Sequence, residues 1–262
     1  MPRHPGFKLG CQKREHDPCF PHMSALVAGR RPTTMPPPVD WSAKMLPDLG
    51  MMLNDQLGDC TCAAIYHLLQ VWSFIATGTM LTEPDSIVLR AYEVIDGYVP
   101  GNPSTDQGGV MQHVMRYWLN KGVPMTSGVN RAFAVIETDP QNDIDVTNAI
   151  VDCGAVNIGF NVPAFLMPDN GDPPPTVWDV QPGQDETIIG GHDVIAPGFD
   201  AQATLNIVSW GSRSYKMTKA FRNKYVTEMY AIADPTWMSA RGTTPGGLTV
   251  QQLEQQMQAL RA

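Results

Sequence analysis

Two hydrophobic periods divide the chain. From position 60 onward, Ala63, Ala64, Ile65, Leu68, Leu69, Val71 and Trp72 recur at three- and four-residue spacing, as on a helix that turns one face to a core. This pattern predicts a helix from Cys60 to about Ala76, closed at Gly78. Further helices are expected over 85–95 and 110–120, with the glycine- and proline-punctuated loop 97–109 between them. Past Pro124 the period shortens. Residues 132–137, 155–162, 192–199, 204–210 and 229–233 alternate or cluster β-branched residues and read as strands. Short helices are expected over 144–152 and 218–226. Pro173-Pro174-Pro175 excludes a central strand from the loop 167–183. Helices first and strands second give an α+β protein of two lobes.

The two ends of the chain break this pattern. Residues 1–38 are rich in proline and basic side chains, with Pro36-Pro37-Pro38 fixing extended backbone. They form an arm expected to pack on the body or on a neighbouring chain. Residues 39–240 are the folded domain, with a helical lobe over about 50–125 and a β lobe over about 130–235. Residues 241–262 form a linker and an amphipathic helix with Val250, Leu253, Met257 and Leu260 on one seam.

Composition removes several function classes. The chain has 262 residues, 43% of them apolar, and a net charge of −8. It shows no basic stripe for nucleic acid, no apolar run of the ~18–20 residues that span a bilayer, and no signal peptide. The five cysteines, Cys11, Cys19, Cys60, Cys62 and Cys153, make no regular disulfide framework, although Cys11 and Cys19 leave a bridge open in an oxidising setting. Cys60 and Cys62 stand too close for a usual zinc knuckle, so no metal site is expected.

The chemistry concentrates in three places. Asn54-Asp55-Gln56-Leu57-Gly58-Asp59-Cys60-Thr61 places a cysteine at a helix N-terminus, where unpaired N–H groups and the helix dipole favour thiolate. Gly190-Gly191-His192 places a histidine at the start of a strand, able to take the thiol proton. Ser209-Trp210-Gly211 ends the strand that follows.

In these motifs the chain resembles the papain-like cysteine peptidases. Gly58-Asp59-Cys60 matches the glycine–x–cysteine step, His192 with Gly198-Phe199 the histidine strand, and Ser209-Trp210-Gly211 the last motif. Asp106-x-Gly108-Gly109 is similar to the glycine pair lining the family's cleft. With Met217-Thr218 added, the set is most similar to papain-like proteins of tailed bacteriophages and prophages. The resemblance implies a two-lobed fold, a helical N-terminal lobe and an antiparallel β-barrel-like C-terminal lobe. It implies Cys60 as nucleophile, His192 as general base and acid, and Asn54 with the Cys60 N–H as oxyanion donors. Gly58, Asp59, Gly108, Gly109 and Trp210 would line the cleft.

Two departures from the family stand out. Asn54 replaces the family's glutamine six residues before the nucleophile, and losing one oxyanion donor costs on the order of 2.7–4 kcal/mol. A shifted register would instead pair Gln56 with Cys62. Val208 occupies the position of the asparagine that orients the imidazole, leaving Asn206, on the same strand face, or an acid from Asp185-Glu186 as helper. The resemblance calls for no cofactor. It implies a peptide substrate if the site is active, other virion proteins as partners of the arm or the C-terminal helix, and a setting in a virion or the host cytoplasm. The alternative is a catalytically silent papain fold serving as a structural or decoration protein.

Overall fold

The computed structural model describes residues 6–15, 20–22, 33–168 and 172–239, with residues 242, 249, 251–252 and 255 near the C-terminus. Most of the C-terminal helix expected over 248–261, and the residue Cys19, lie outside the described residues.

The long helix α1, Cys60–Thr77, is the centre of the molecule. Among the described helices only α1 is long and apolar enough to cross a membrane. Its first 14 residues, Cys60 to Ser73, are all buried, so its apolarity serves the core. α1 ends at Gly78, which adopts the left-handed conformation with φ 75°, as a C-terminal cap requires. Helices α2 (Asp85–Asp96) and α3 (Met111–Asn120) pack beside it.

The second core lies within a sheet of eight strands: β1 (Val39–Asp40), β4 (Ala134–Glu137), β5 (Val156–Pro163), β6 (Val177–Trp178), β7 (Ile188–Phe199), β8 (Leu205–Ser209), β9 (Ser212–Met217) and β10 (Val226–Ala233). Their order is β4-β10-β5-β7-β8-β9-β6, with β1 also paired to β7. Every pairing is antiparallel except β6 with β9. The sheet is open, with β4 and β6 as its edges, which corrects the barrel-like expectation. Only two residues of the proline-rich loop become strand, and they sit at the edge.

Outside the sheet, β2 (Val123–Met125) and β3 (Gly128–Asn130) form a separate hairpin. Helices α4 (Asp143–Cys153), α5 (Lys219–Tyr225) and α6 (Pro235–Ser239) and two short 3-10 turns, Pro103–Thr105 and Ala164–Leu166, complete the described elements. One sheet face, with Ile195, Val208, Tyr230 and Ile232, joins the core of α1. The other, with Val194, Ile207 and Phe160, forms the second core. The N-terminus of α1 therefore meets the sheet at β7 and β8, which is where the site lies.

Candidate active site

Cys60 is the first residue of α1, where the leading N–H groups have no intrahelical acceptor. His192 lies inside β7, which starts four residues earlier than the histidine and contains both preceding glycines. Cys60 and His192 line one crevice, together with Asn54, His67, Ser209 and Trp210. The crevice is only about 10 Å³, room for roughly one water.

The imidazole is held by two neighbours. Its Nε2 hydrogen-bonds the Ser209 hydroxyl at 2.8 Å. The Trp210 indole stacks on the ring, centroids 4.2 Å apart and planes 12° from parallel. Nδ1 is buried without a partner among the described residues, and is the nitrogen left for proton exchange. Val208 borders the same crevice but carries no hydrogen-bonding group; it pairs with Ile195 and packs into the α1 core. Asn206 pairs with Gly198 and Lys216, and its amide nitrogen lies against Gly198, away from the imidazole. Ser209, one residue further along the strand, is the residue whose side chain meets the imidazole. A serine inside the Ser-Trp-Gly motif is thus the orienting group, and its adjacency to Trp210 was the available signal.

Trp210 and Gly211 both have positive φ, 45° and 71°, and they join the paired Ser209 and Ser212, as in a type I′ hairpin. A tryptophan in this region is strained by about 1–2 kcal/mol. The histidine stack, an edge contact with Phe7 at 5.3 Å and a hydrogen bond from Nε1 to the Lys8 carbonyl at 3.1 Å hold it there.

That last bond belongs to a longer contact, because the described part of the arm runs through the cleft. The Lys8 N–H donates to the Asn54 carbonyl at 3.0 Å. Gly10 and Cys11 N–H groups donate to the Gly191 carbonyl at 3.2 and 3.1 Å. The Gln12 N–H donates to the Gly109 carbonyl, and the Gly109 N–H to the Gly10 carbonyl, both at 2.8 Å. The approach is so close that a Cβ on Gly10 would stand 1.7 Å from the Gly58 oxygen, and one on Gly108 1.9 Å from the Gly10 oxygen. Only glycines permit it. An ion pair of Arg14 with Glu137 (2.6 Å) and a hydrogen bond between His113 Nε2 and Glu15 (3.0 Å) anchor the arm beyond the cleft.

The arm changes the electrostatics expected for a helix-terminal cysteine. Burial, followed by the Asp193 charge, pushes the Cys60 thiol well above its ordinary range, outweighing the N–H groups of Asp193 and Gly10 that favour thiolate. Burial likewise lowers His192 to about 3. With the arm in place the pair is a thiol beside a neutral imidazole.

The remaining candidates divide. Asn54 lines the crevice, but its amide nitrogen donates to the Leu57 carbonyl (3.2 Å) and to Asp59 Oδ1 (3.3 Å). Asp59 is fully buried and its carboxyl is raised by desolvation. The Gly58 N–H donates to Asp106 Oδ1, which also accepts from the Tyr92 hydroxyl, and Tyr92 accepts from the Gly108 N–H. This network, absent from the sequence reading, ties the cysteine turn to the Gly108-Gly109 wall. Gly109 packs against Thr61 and Asp96. The alternative pair is not brought together: Gln56 is exposed, and buried Cys62 donates to Asp96 Oδ2 at 3.5 Å. His67 is buried and bonded through Nδ1 to Gln70 Oε1 at 2.9 Å. Cys11 is a free thiol.

The same fold occurs in solved structures. Xylellain, a cysteine protease from Xylella fastidiosa, superposes with a TM-score of 0.62 over 88% of this chain and 97% of that one, at 14% identity. Procathepsin B S9 from Trypanosoma congolense gives 0.59 over 87% and 86%, at 12% identity. Digestive procathepsin L2 proteinase from the larval midgut of Tenebrio molitor gives 0.58 over 88% and 78%, at 14% identity. The chain has the papain-like fold. No protein-family model and no curated sequence matches it. The crevice lined by Cys60 and His192 is the candidate site of this fold, and no hydrogen bond joins the two side chains in the state described.

Proposed function

We propose that the protein is a thiol hydrolase of peptide or isopeptide bonds whose cleft is filled, in the state described, by its own N-terminal segment. One observation carries this reading: a helix-leading cysteine shares a crevice with a histidine whose Nε2 is fixed by Ser209 and whose ring is shielded by Trp210. Once the arm leaves and water enters, His192 takes the Cys60 proton and the sulfur attacks the carbonyl carbon. The Cys60 N–H stabilises the oxyanion, joined by Asn54 if its amide swings from Asp59. The imidazolium then protonates the leaving amine. Water, activated by the neutral imidazole, hydrolyses the thioester and regenerates the thiol.

Labelling by iodoacetamide, resolved by residue, tests this. Cys60 should react slowly in the intact chain. It should react at least tenfold faster in Gly10→Ala, where the new methyl group cannot pass Gly58. The gain should be lost in Gly10→Ala/His192→Ala. Labelling of Gly10→Ala that does not depend on His192 would sink the hydrolase reading. The phage-like motifs support a setting in a phage particle or its host, which detection of the chain in purified particles would test.

A further inference from the structure

The crevice shared by Cys60 and His192 has polar neighbours that the proposed chemistry leaves unused, and their hydrogen bonds fix which way each one faces. His67, on α1, is 3% exposed and borders the crevice. Its Nδ1 lies 2.9 Å from Gln70 Oε1. Gln70 Nε2 donates to the Leu49 carbonyl and to Thr82 Oγ1, both at 2.9 Å. A main-chain carbonyl only accepts, so it decides which end of the Gln70 amide is nitrogen, and Oε1 is the acceptor for His67. Nδ1 of His67 therefore carries a proton. Burial lowers His67 to about 4, so the ring is neutral at pH 7 and its Nε2 is a bare acceptor.

Asn54 is oriented in the same way. Its Nδ2 donates to the Leu57 carbonyl and to Asp59 Oδ1, and the carbonyl again identifies the nitrogen. With both amide hydrogens engaged, Oδ1 is the end of Asn54 left for the crevice, a second acceptor. Ser209 is the third group. It is 2% exposed, and its hydroxyl has one hydrogen to place. If that hydrogen goes to His192 Nε2, 2.8 Å away, the imidazole proton sits on Nδ1, buried with no acceptor among the described residues. A buried donor without an acceptor is costly. If instead Nε2–H donates to Ser209 Oγ, the hydroxyl needs an acceptor of its own.

The crevice provides the place for one. Its volume of about 10 Å³ takes roughly one water, and a buried water makes about three hydrogen bonds. Ser209 O–H can donate to it, and His67 Nε2 and Asn54 Oδ1 can accept from it. Asp193 also borders the crevice, both carboxyl oxygens without a partner; as a further acceptor it leaves the direction of these three bonds unchanged.

We propose that the crevice binds one water, held by Ser209, His67 and Asn54, and that His67 acts through it as a positioning residue for His192. The water accepts from the Ser209 hydroxyl and donates to His67 Nε2 and Asn54 Oδ1. Ser209 Oγ then accepts from His192 Nε2–H, which leaves the Nδ1 lone pair to take the Cys60 proton. The use of Nδ1 rests on the hydrolase reading; the water and the two tautomers do not.

Two measurements on the full chain test this. In a crystal structure an ordered water should lie within about 3.2 Å of Ser209 Oγ, His67 Nε2 and Asn54 Oδ1. Nitrogen-15 NMR of histidine-labelled protein, assigned with His192→Gln and His67→Phe, should place the His192 proton on Nε2 and the His67 proton on Nδ1. A crevice in which no water touches both Ser209 and His67, or a His192 proton on Nδ1, would overturn the proposal. In His67→Phe the His192 proton should spread over both ring nitrogens. Cys60 labelling in the Gly10→Ala background should then slow roughly tenfold. An unchanged tautomer would remove His67 from the role. Should that variant fail to fold, the water and the His192 tautomer of the parent decide. Labelling of Gly10→Ala that ignores His192 sinks the hydrolase reading alone, and the water and tautomers are still judged by the crystal structure and the NMR.

Discussion

Ser209 and Val208 show how one residue of register decides a site. Alignment of the Ser-Trp-Gly motif places Val208 where an orienting amide is expected, and suggests that the histidine has lost its helper. The fold gives the role to Ser209, whose hydroxyl meets His192 Nε2 at 2.8 Å, while Val208 is 1% exposed in the other core. Restoring the family's asparagine should therefore fail: Val208→Asn buries an amide and should destabilise the protein by about 2–4 kcal/mol, read as a lowered denaturant midpoint. It should not raise Cys60 reactivity in the Gly10→Ala background. Ser209→Ala should instead leave stability within about 1–2 kcal/mol of the parent, and slow that labelling roughly tenfold through loss of ring orientation. Faster labelling in Val208→Asn, or no change in Ser209→Ala, would show that the imidazole is oriented by another group. That Cys60 leads a helix and that His192 lies on a strand were legible because the flanking glycines and apolar periods are local signals. The serine was not, because it depends on how two strands pair.

At the scale of elements, the helices were read nearly to their ends, since glycine caps and a 3.6-residue period are local signals. Gly78, Gly97 and Gly154 each close a helix in the left-handed conformation. The sheet was read less completely. β9, Ser212–Met217, has polar side chains at four of its six positions and gains its strand character from pairing with β8 and β6. Gly190 and Gly191 looked like a loop before a strand, yet they lie inside β7; a glycine is needed at 191 because the arm's Cys11 carbonyl passes 2.2 Å from where a Cβ would be. Gly154 ties a helix end to the core. Its φ is 79°, and a Cβ there would stand 2.9 Å from the Trp72 indole, whose Nε1 donates to the Cys153 carbonyl at 2.8 Å. Gly154→Ala combines backbone strain with a clash against a buried ring. It should lower stability by about 2–4 kcal/mol, measured as a fall in denaturant midpoint with unchanged slope. A loss within about 0.5 kcal/mol would mean that α4 and α1 are less firmly joined than this contact implies.

For the whole molecule, the sequence predicted an arm packed on the body or on a neighbouring chain, but not its path. A stretch such as Phe7 to Gln12 has no period, and its place is set by the cleft that receives it. Several acids around the cleft are buried, and the half-buried Asp96 allows the consequence to be isolated. It ends α2, accepts from Cys62, and lies under the Gly109 wall. Burial is the main cause that raises its carboxyl from 3.8 to about 7, against smaller opposing effects of Cys62, His113 and Thr61. A folded-state value above the unfolded one means that the folded protein holds the proton more tightly. The contribution is fully present below about pH 4 and is lost as pH rises through about 7. Asp96→Asn mimics the protonated acid at every pH. Relative to the parent it should be neutral near pH 4 and gain stability upward, reaching about 4 kcal/mol near pH 8. Asp59, Asp193 and Glu228 are shifted in the same direction, but they titrate in both proteins and cancel in the difference. Urea midpoints of parent and variant at successive pH values between these limits measure it. A difference that stays flat with pH would show that Asp96 is ionised beneath the arm, and that the arm leaves this part of the cleft open to water.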